Sequence, residues 1–518
     1  MPGAVLIFAL CVFGSTLAVD RTLEPGAHGR DVVETVVYRI HRSRVFPDDR
    51  DFFRRVAYTE SNFGDDPRTY RNGYYGGIWQ FDGLKTTQHD GPYDVITPQL
   101  KSIHAAIKQR MGIDWMQVKK EDLLKPFYSG LAARIHIEQT RLSRGPIPDD
   151  IHGQDIYWKD WYHTHEMKYG DYERRAYELL EEDMRTAGGK LDMVMVVDGS
   201  ASIGLSNFRS ALASLARLVN IFDLQEANVG MVTYSDKVTS IIPLVNELNM
   251  TQLQAAIRQT RYPCSNTNTY AGMMAAIDEF KKLPGARKEL GIPQLMVVFT
   301  DGEHNVEPDP GVSAVKAAEA GIITCSFGIG NSIHDDELLR IANNESDFKF
   351  NTNSYDTLTE QIVLIARRAK TVPQTPKMGS ETEETLKEIG DKRYYRLGVP
   401  DNGTTIILIN ERGETRGYWT YSNERPSSAF YDGVITAGET FIPPPPQRVS
   451  SGEVRQRREA IQDPPKRDVM IALESFSTDS RVRMKIAAGD VTTSGATRVD
   501  VTCFVLATVL TFTVSLLK

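Results

Sequence analysis

Between residues 190 and 370 the chain alternates two patterns that belong together in one kind of architecture. Runs such as LDMVMVV (191–197), QLMVVFT (294–300) and GIITCSFGIG (321–330) are apolar at nearly every position. A strand made of them must be covered on both faces. The segment NFRSALASLARLVNIF (207–222) instead repeats apolar residues at helical intervals, with Phe208, Leu212, Leu215, Val219 and Phe222 on one face. Doubly covered strands separated by amphipathic helices predict a doubly wound α/β domain with a parallel sheet, over residues 189–372.

Outside that block the pattern changes twice. Residues 19–188 place charged and aromatic residues at helical spacing, as in DFFRRVAYTE (51–60) and DYERRAYELLEEDM (171–184), which predicts an α domain. Residues 373–488 carry alternating runs such as TTIILIN (404–410), GYWTYS (417–422) and DVMIAL (468–473) between turn residues. That is the pattern of a small β-sandwich. The tetraproline Pro443–Pro446 and the charged stretch RVSSGEVRQRREAIQDPPKR (448–467) interrupt it as a polar loop. At 518 residues the chain exceeds one core, so several folded units are expected.

The two ends speak to the compartment. MPGAVLIFALCVFGSTLAVD opens with an apolar stretch of secretory length, and Thr16 and Ala18 stand where a signal peptidase reads, so residues 1–18 are expected to be removed. Residues 489–518 end in VTCFVLATVLTFTVSLLK, apolar from Val501 to Leu517 with only Lys518 beyond. That suits a glycolipid-anchor signal, with attachment at Ala487-Ala488-Gly489 or Ser494-Gly495-Ala496, or else a short transmembrane tail. Sequons at Asn249, Asn344 and Asn402 fit an extracellular chain. With Cys11 in the signal and Cys503 in the tail, Cys264 and Cys325 remain, either as one disulfide or as two free thiols. A formal net charge of −8 without a basic block argues against nucleic acid as the main partner.

The stretch VVDGSASIG (196–204) closes an apolar strand with Asp198, Ser200 and Ser202 at alternate positions, so their oxygens face one side. In an open parallel sheet, ligands bind beyond the carboxyl ends of the strands. Two further loops belong at that edge: CSNTNTYAGM (264–273), with Thr267 ahead of a helix, and TDGE (300–303), with Asp301 just past a strand. Two carboxylates and three hydroxyls form an oxygen-only donor set, suited to Mg²⁺, Ca²⁺ or Mn²⁺ and unsuited to zinc.

The set DGSAS, TNT and FTDGE resembles the metal-ion-dependent adhesion site of von Willebrand factor A domains, with all five positions matched by Asp198, Ser200, Ser202, Thr267 and Asp301. Its local departure is Ser265-Asn266-Thr267, where the family often has a glycine pair. The resemblance implies a bound divalent cation, Mg²⁺ foremost. Neutral hydroxyls leave such an ion under-neutralised, so an open coordination place attracts an acidic group from a protein or glycan partner.

In DFFRRVAYTESNFG (51–64), Phe53, Val56 and Glu60 share one helix face, which places the Glu60 carboxyl among apolar groups and suits it to protonate a glycosidic oxygen. The Gly-rich, aromatic turn YRNGYYGGIWQFD (70–82) follows. Glu60-Ser61 and Gly77-Ile78-Trp79-Gln80 resemble the goose-type lysozyme and soluble lytic transglycosylase superfamily, in which a helix ends in Glu-Ser and a later Gly-x-x-Gln stretch lines the saccharide cleft. That resemblance implies Glu60 as catalytic acid, Gly77 and Gln80 at the substrate, and peptidoglycan or a chitin-like polymer as that substrate. Spacing singles out no second carboxylate among Asp65, Asp66 and Asp82. His163, His165 and Glu166 in HTHEM lack a spacing that sets two imidazoles on one helix face, so no metal site is expected there.

In the last domain, Arg425-Pro426-Ser427-Ser428 and Tyr431-Asp432 resemble the β-sandwich appended to secreted bacterial peptidases, which implies an accessory module. Three functions stay open at this point. The first is cation-dependent adhesion through the A domain; the second is a glycoside hydrolase or lytic transglycosylase using Glu60, with the A domain for targeting. The third is a structural place in a secreted matrix, mineralised or not.

Overall fold

The computed structural model describes residues 18–81, 98–163, 167–186, 190–285, 287, 290–301, 303–329, 334–352, 363–365, 367–368, 370–422, 425–445 and 468–490. Residues 1–17 of the expected signal, the tail beyond 490, the charged stretch 448–467, Asp82, His165 and Glu166 lie outside the described residues.

After a two-residue strand, β1 (Val19–Asp20), the N-terminal part is helical: α1 (Arg30–Arg42), α2 (Arg50–Ser61), α3 (Pro98–Met111), α4 (Pro126–Arg144), α5 (Ile151–Trp161) and α6 (Asp171–Thr186). They close around Val36, Phe52, Phe53, Val56, Trp79 and Trp158, all buried. Local sequence sets the ends. Helix α2 stops where Asn62 takes the left-handed conformation at φ 52°, one of the few side chains that accept it. Helix α4 begins on Pro126, whose fixed φ suits a first turn, and ends at Gly145.

The next part is a six-stranded sheet built from β2 (Leu191–Asp198), β3 (Ala227–Tyr234), β4 (Val238–Ile242), β5 (Gln294–Thr300), β6 (Ile322–Ile329) and β7 (Lys349–Thr352). Its order is β4-β3-β2-β5-β6-β7, parallel except for the edge strand β4. All eight residues of β2 are buried, and they alternate between two cores. Met193, Met195 and Val197 meet Phe208, Leu212 and Leu215 of α7 (Leu205–Leu218), joined by α8 (Met250–Arg258). On the other side, Val194 and Val196 meet Met273, Ile277 and Phe280 of α9 (Thr269–Lys281), with α10 (Pro310–Glu319) and α11 (Asp335–Ile341) beside them. The chain leaves β2 toward β3 and later restarts at β5 on β2's other flank. This reversal opens a crevice between the carboxyl ends of β2 and β5, where such sheets place their ligands.

The C-terminal part is two four-stranded antiparallel sheets. One runs β14 (Gly438–Ile442), β10 (Thr404–Arg412), β16 (Ser480–Ala488), β8 (Glu381–Leu386); the other runs β13 (Gly433–Ile435), β11 (Thr415–Thr420), β15 (Asp468–Ser475), β9 (Lys392–Gly398). Tyr395, Ile406, Trp419, Ile471 and Val482 fill the space between them. The parts are stitched together. Strand β1 pairs antiparallel with β12 (Phe430–Tyr431), Lys392 of β9 pairs with Asp31 of α1, and Arg367 reaches Asp51 of α2 at 3.0 Å.

Candidate metal centre

Asp198 closes β2 and is 1% exposed. Its Oδ1 accepts the Ser200 backbone N–H at 2.8 Å, and its Oδ2 accepts the Thr300 hydroxyl at 2.8 Å. The Ser200 and Ser202 hydroxyls lie 3.0 Å apart, and Ser202 Oγ donates to Asp301 Oδ1 at 3.0 Å. Asp198, Ser200, Ser202 and Asp301 therefore form one continuous hydrogen-bonded chain across the crevice between β2 and β5.

Thr267, 5% exposed, joins this group through its loop. Ser200 and Ser265 form an isolated parallel bridge, with Ala201 N–H donating to the Ser265 carbonyl at 2.9 Å. The two loops approach so closely that a Cβ on Gly199 would sit 2.5 Å from Pro263, and only glycine fits. Tyr262 adds a hydroxyl that donates to the Ser200 carbonyl at 2.8 Å and accepts the Gly204 N–H at 3.1 Å. The Asp301 loop is tied down separately: Glu337 of α11 accepts the His304 N–H at 3.1 Å and meets His304 Nδ1 at 2.9 Å.

Neither Asp198 nor Asp301 has a basic partner among the described residues. Burial pushes the Asp198 carboxyl up to about 6, an effect that the Ser200 and Thr300 hydrogen bonds oppose and the Asp301 charge reinforces. Asp301 is raised too, chiefly by burial, against its bond from Ser202. Two neighbouring carboxylates without a counter-charge, ringed by hydroxyls, fit a hard divalent cation by the chemistry of their donors. Among the described residues no group of three or more His, Cys, Asp or Glu gathers for a metal.

Sequence reasoning did not anticipate Thr300, Tyr262 or Glu337, nor Asn305, whose side-chain oxygen accepts the Thr267 N–H at 2.8 Å. Thr300 was the only one with a signal, as a hydroxyl at the end of a strand beside Asp301. The remaining cysteines are free thiols, Cys264 exposed and Cys325 buried in β6, where burial pushes the thiol up to about 12. The sequon residues Asn249, Asn344 and Asn402 are all exposed.

In the helical part, the surroundings of Glu60 differ from the apolar face expected. Its side chain is 3% exposed, but Trp158 Nε1–H donates to Oε1 at 2.8 Å, and His163 Nδ1 lies 3.1 Å from both oxygens. The His163 ring stacks on Trp158 at 4.9 Å. Both partners come from α5 and the residues after it, so tertiary packing supplies the polar contacts that helix periodicity could not show. Ser61 Oγ donates to the Ile78 carbonyl at 2.6 Å, fastening the end of α2 to the Gly77–Gln80 stretch. Gly77 has φ 58°, and a Cβ there would strike Ser129 Oγ at 2.5 Å. The Gln80 amide nitrogen donates to the Gly77 carbonyl at 2.6 Å, while its oxygen accepts from Arg71 at 3.1 Å.

Residues 192–363 form a von Willebrand factor type A domain. The A domain aligns with mouse matrilin-4 at 29% identity over 167 residues, covering 32% of this chain and 26% of that protein. Chicken matrilin-1 is 30% identical over 177 residues, covering 33% and 35%. The mouse collagen alpha-4(VI) chain is 31% identical over 172 residues, covering 32% and 7%. The chain thus spans about a third or less of the length of these relatives. Among solved structures, proximal thread matrix protein 1 from the mussel byssus, with a zinc-occupied MIDAS motif, aligns at 21% identity and a TM-score of 0.32, covering 36% of this chain and 47% of that one. Manganese-loaded TRAP protein of Plasmodium vivax aligns at 22% identity and a TM-score of 0.30, covering 34% and 72%. No helix among the described residues is long and apolar enough to cross a membrane.

Proposed function

We propose that this is an extracellular adhesion or matrix protein whose A domain grips an acidic group of a protein or glycan partner through a divalent cation. Asp198, Ser200, Ser202, Thr267 and Asp301 would hold the ion, with Mg²⁺ the first choice and Ca²⁺ or Mn²⁺ the alternatives. The observation that carries this reading is the hydrogen-bonded chain from Asp198 to Asp301, whose two carboxylates have no basic partner among the described residues. The matrix proteins among its relatives support the extracellular setting. The expected units, 19–188, 189–372 and 373–488, and a surface tether within 489–518 belong to the same proposal. Full-length protein passed over immobilised polyglutamate or hyaluronate is expected to be retained in Mg²⁺ and released by EDTA, and Asp301→Ala is expected to flow through. Retention that survives EDTA contradicts the reading.

A second reading concerns the helical part, and one contact favours it: the Glu-Ser end of α2 and the Gly-x-x-Gln stretch are bonded directly through Ser61 and Ile78. In this reading Glu60 is the acid of a glycosidase acting on peptidoglycan or a chitin-like polymer. Release of reducing ends by the full chain, abolished in Glu60→Gln, supports it. Equal release by both proteins contradicts it.

A further inference from the structure

At the edge of the sheet opposite Asp198 and Asp301, where the three parts of the chain meet, two cavities share a wall. The inner one, of 160 Å³, lies among Arg54, Arg367, Arg368 and Lys370, facing Glu34 and Asp183. The outer one, of 710 Å³, opens between the amino ends of β5 and β6, the segment 371–375 and the sandwich. Its wall mixes an apolar side, with Phe280, Ile292, Ile322, Val372 and Met470, and a polar one, with Lys281, Gln294, Arg396 and Asp468. Tyr38, Thr371 and Arg425 line both cavities and form the neck between them.

The charges at this neck do not balance. The Arg425 guanidinium carbon lies over the Tyr38 ring, 4.6 Å from its centroid, and the side chain has no carboxylate partner among the described residues. Arg396, on the outer wall, has none either. Arg368 reaches Asp51 and Asp48 only at 3.5 and 3.7 Å. Burial holds the Arg368 guanidinium down at about 10, with Arg50 adding to the effect and Asp48, Asp51 and Asp347 opposing it. The outer cavity offers one unpaired carboxylate in return, Asp468, since Asp347 is already engaged by His41 and Arg50. A guanidinium carries five N–H donors in a planar fork that matches the oxygens of a carboxylate or phosphate.

We propose that this junction binds an amphipathic anion, with its single anionic head on Arg425 at the neck and its apolar body in the 710 Å³ cavity. The outer cavity has the size of small-molecule sites, which favour junctions between folded units, and it offers an apolar side beside its charged one. It is independent of the A-domain cation and sits at the other end of the sheet.

The test is calorimetric titration of the full chain in EDTA with decanoate and with decyl phosphate, both kept below their micelle thresholds. Decanol and inorganic phosphate serve as body-only and head-only probes. The expected result is saturable one-to-one binding of at least one anionic amphiphile, about tenfold or more tighter than either control. Which of the two binds distinguishes a carboxylate from a phosphate head. Arg425→Gln is expected to weaken that binding about tenfold or more. Val372→Trp, which fills the outer cavity and leaves Arg425 in place, is expected to do the same and carries the test if Arg425→Gln melts early. No saturable heat, equal binding of decanol, equal binding of phosphate, or affinity unchanged in both variants overturns the proposal.

Discussion

Asn305 clasps Thr267 on both sides: its side-chain oxygen accepts the Thr267 N–H at 2.8 Å, and its own N–H donates to the Thr267 carbonyl at 3.0 Å. The loop carrying Asp301 thereby sets the position of the loop carrying Thr267. Asn305→Ala removes the side-chain half of the clasp and is expected to cost about 1 kcal/mol of stability. It is also expected to weaken Mg²⁺ binding severalfold, read by calorimetry beside a thermal melt. Unchanged Mg²⁺ affinity would show that Thr267 needs no such positioning.

Thr300 gives its hydroxyl to Asp198 in a dry setting. Thr300→Val keeps the shape and deletes the donor, leaving a buried carboxyl one bond short. The expected loss is about 1–3 kcal/mol in urea unfolding with EDTA present. A loss within error would mean that Asp198 is satisfied without it.

Acid should loosen the helical part through Asp183. Burial by itself would raise this carboxyl, but the charges of Arg54, Arg367 and Arg30 outweigh it and hold it at about 2. A carboxylate depressed in the folded state contributes fully above its unfolded pKa, about 3.9, and that contribution, about 2–3 kcal/mol, is lost as pH falls toward 2. Asp183→Asn takes one of two carboxylate partners from the buried Arg54 guanidinium and leaves it Glu34, so about 1.5–3 kcal/mol should disappear at pH 7. The variant's stability should also fall less steeply between pH 4 and 2 than the wild type's. Parallel acid limbs in the two proteins would refute the assignment.

Three glycans are expected on protein secreted from a eukaryotic host, at Asn249, Asn344 and Asn402, each exposed. Asn249 also caps α8, accepting the Gln252 N–H at 3.0 Å, so Thr251→Ala is the cleaner way to remove that sequon. Endoglycosidase treatment should shift the mass by three glycans in the wild type and two in the variant. A mass that matches the bare polypeptide contradicts the expectation.

What the sequence disclosed and what it hid divide along one physical line. Period and burial are local: Phe208, Leu212 and Leu215 could be assigned to a covered face, and Asp198 and Asp301 to loops at strand ends, because each loop's place after an apolar run follows from pattern. Contacts between distant segments leave no such trace. The bonds from Trp158 and His163 to Glu60, the Asn305 clasp and the pairing of Val19–Asp20 with Phe430–Tyr431 each join residues far apart along the chain. His163 illustrates the gap, since its spacing gave no metal site and no hint of a carboxylate partner. The sandwich was legible in its alternating strands, but not the ion pair of its Lys392 with Asp31 of α1.

The central claim is that Asp198 and Asp301 share one divalent cation with the hydroxyls between them. Titrating Mg²⁺, Mn²⁺ and Ca²⁺ into the full chain by calorimetry tests it most directly. One saturable site in the wild type and none in Asp301→Ala is the predicted result. No binding heat with any of the three ions, or an Asp301→Ala isotherm that overlays the wild type, would contradict it.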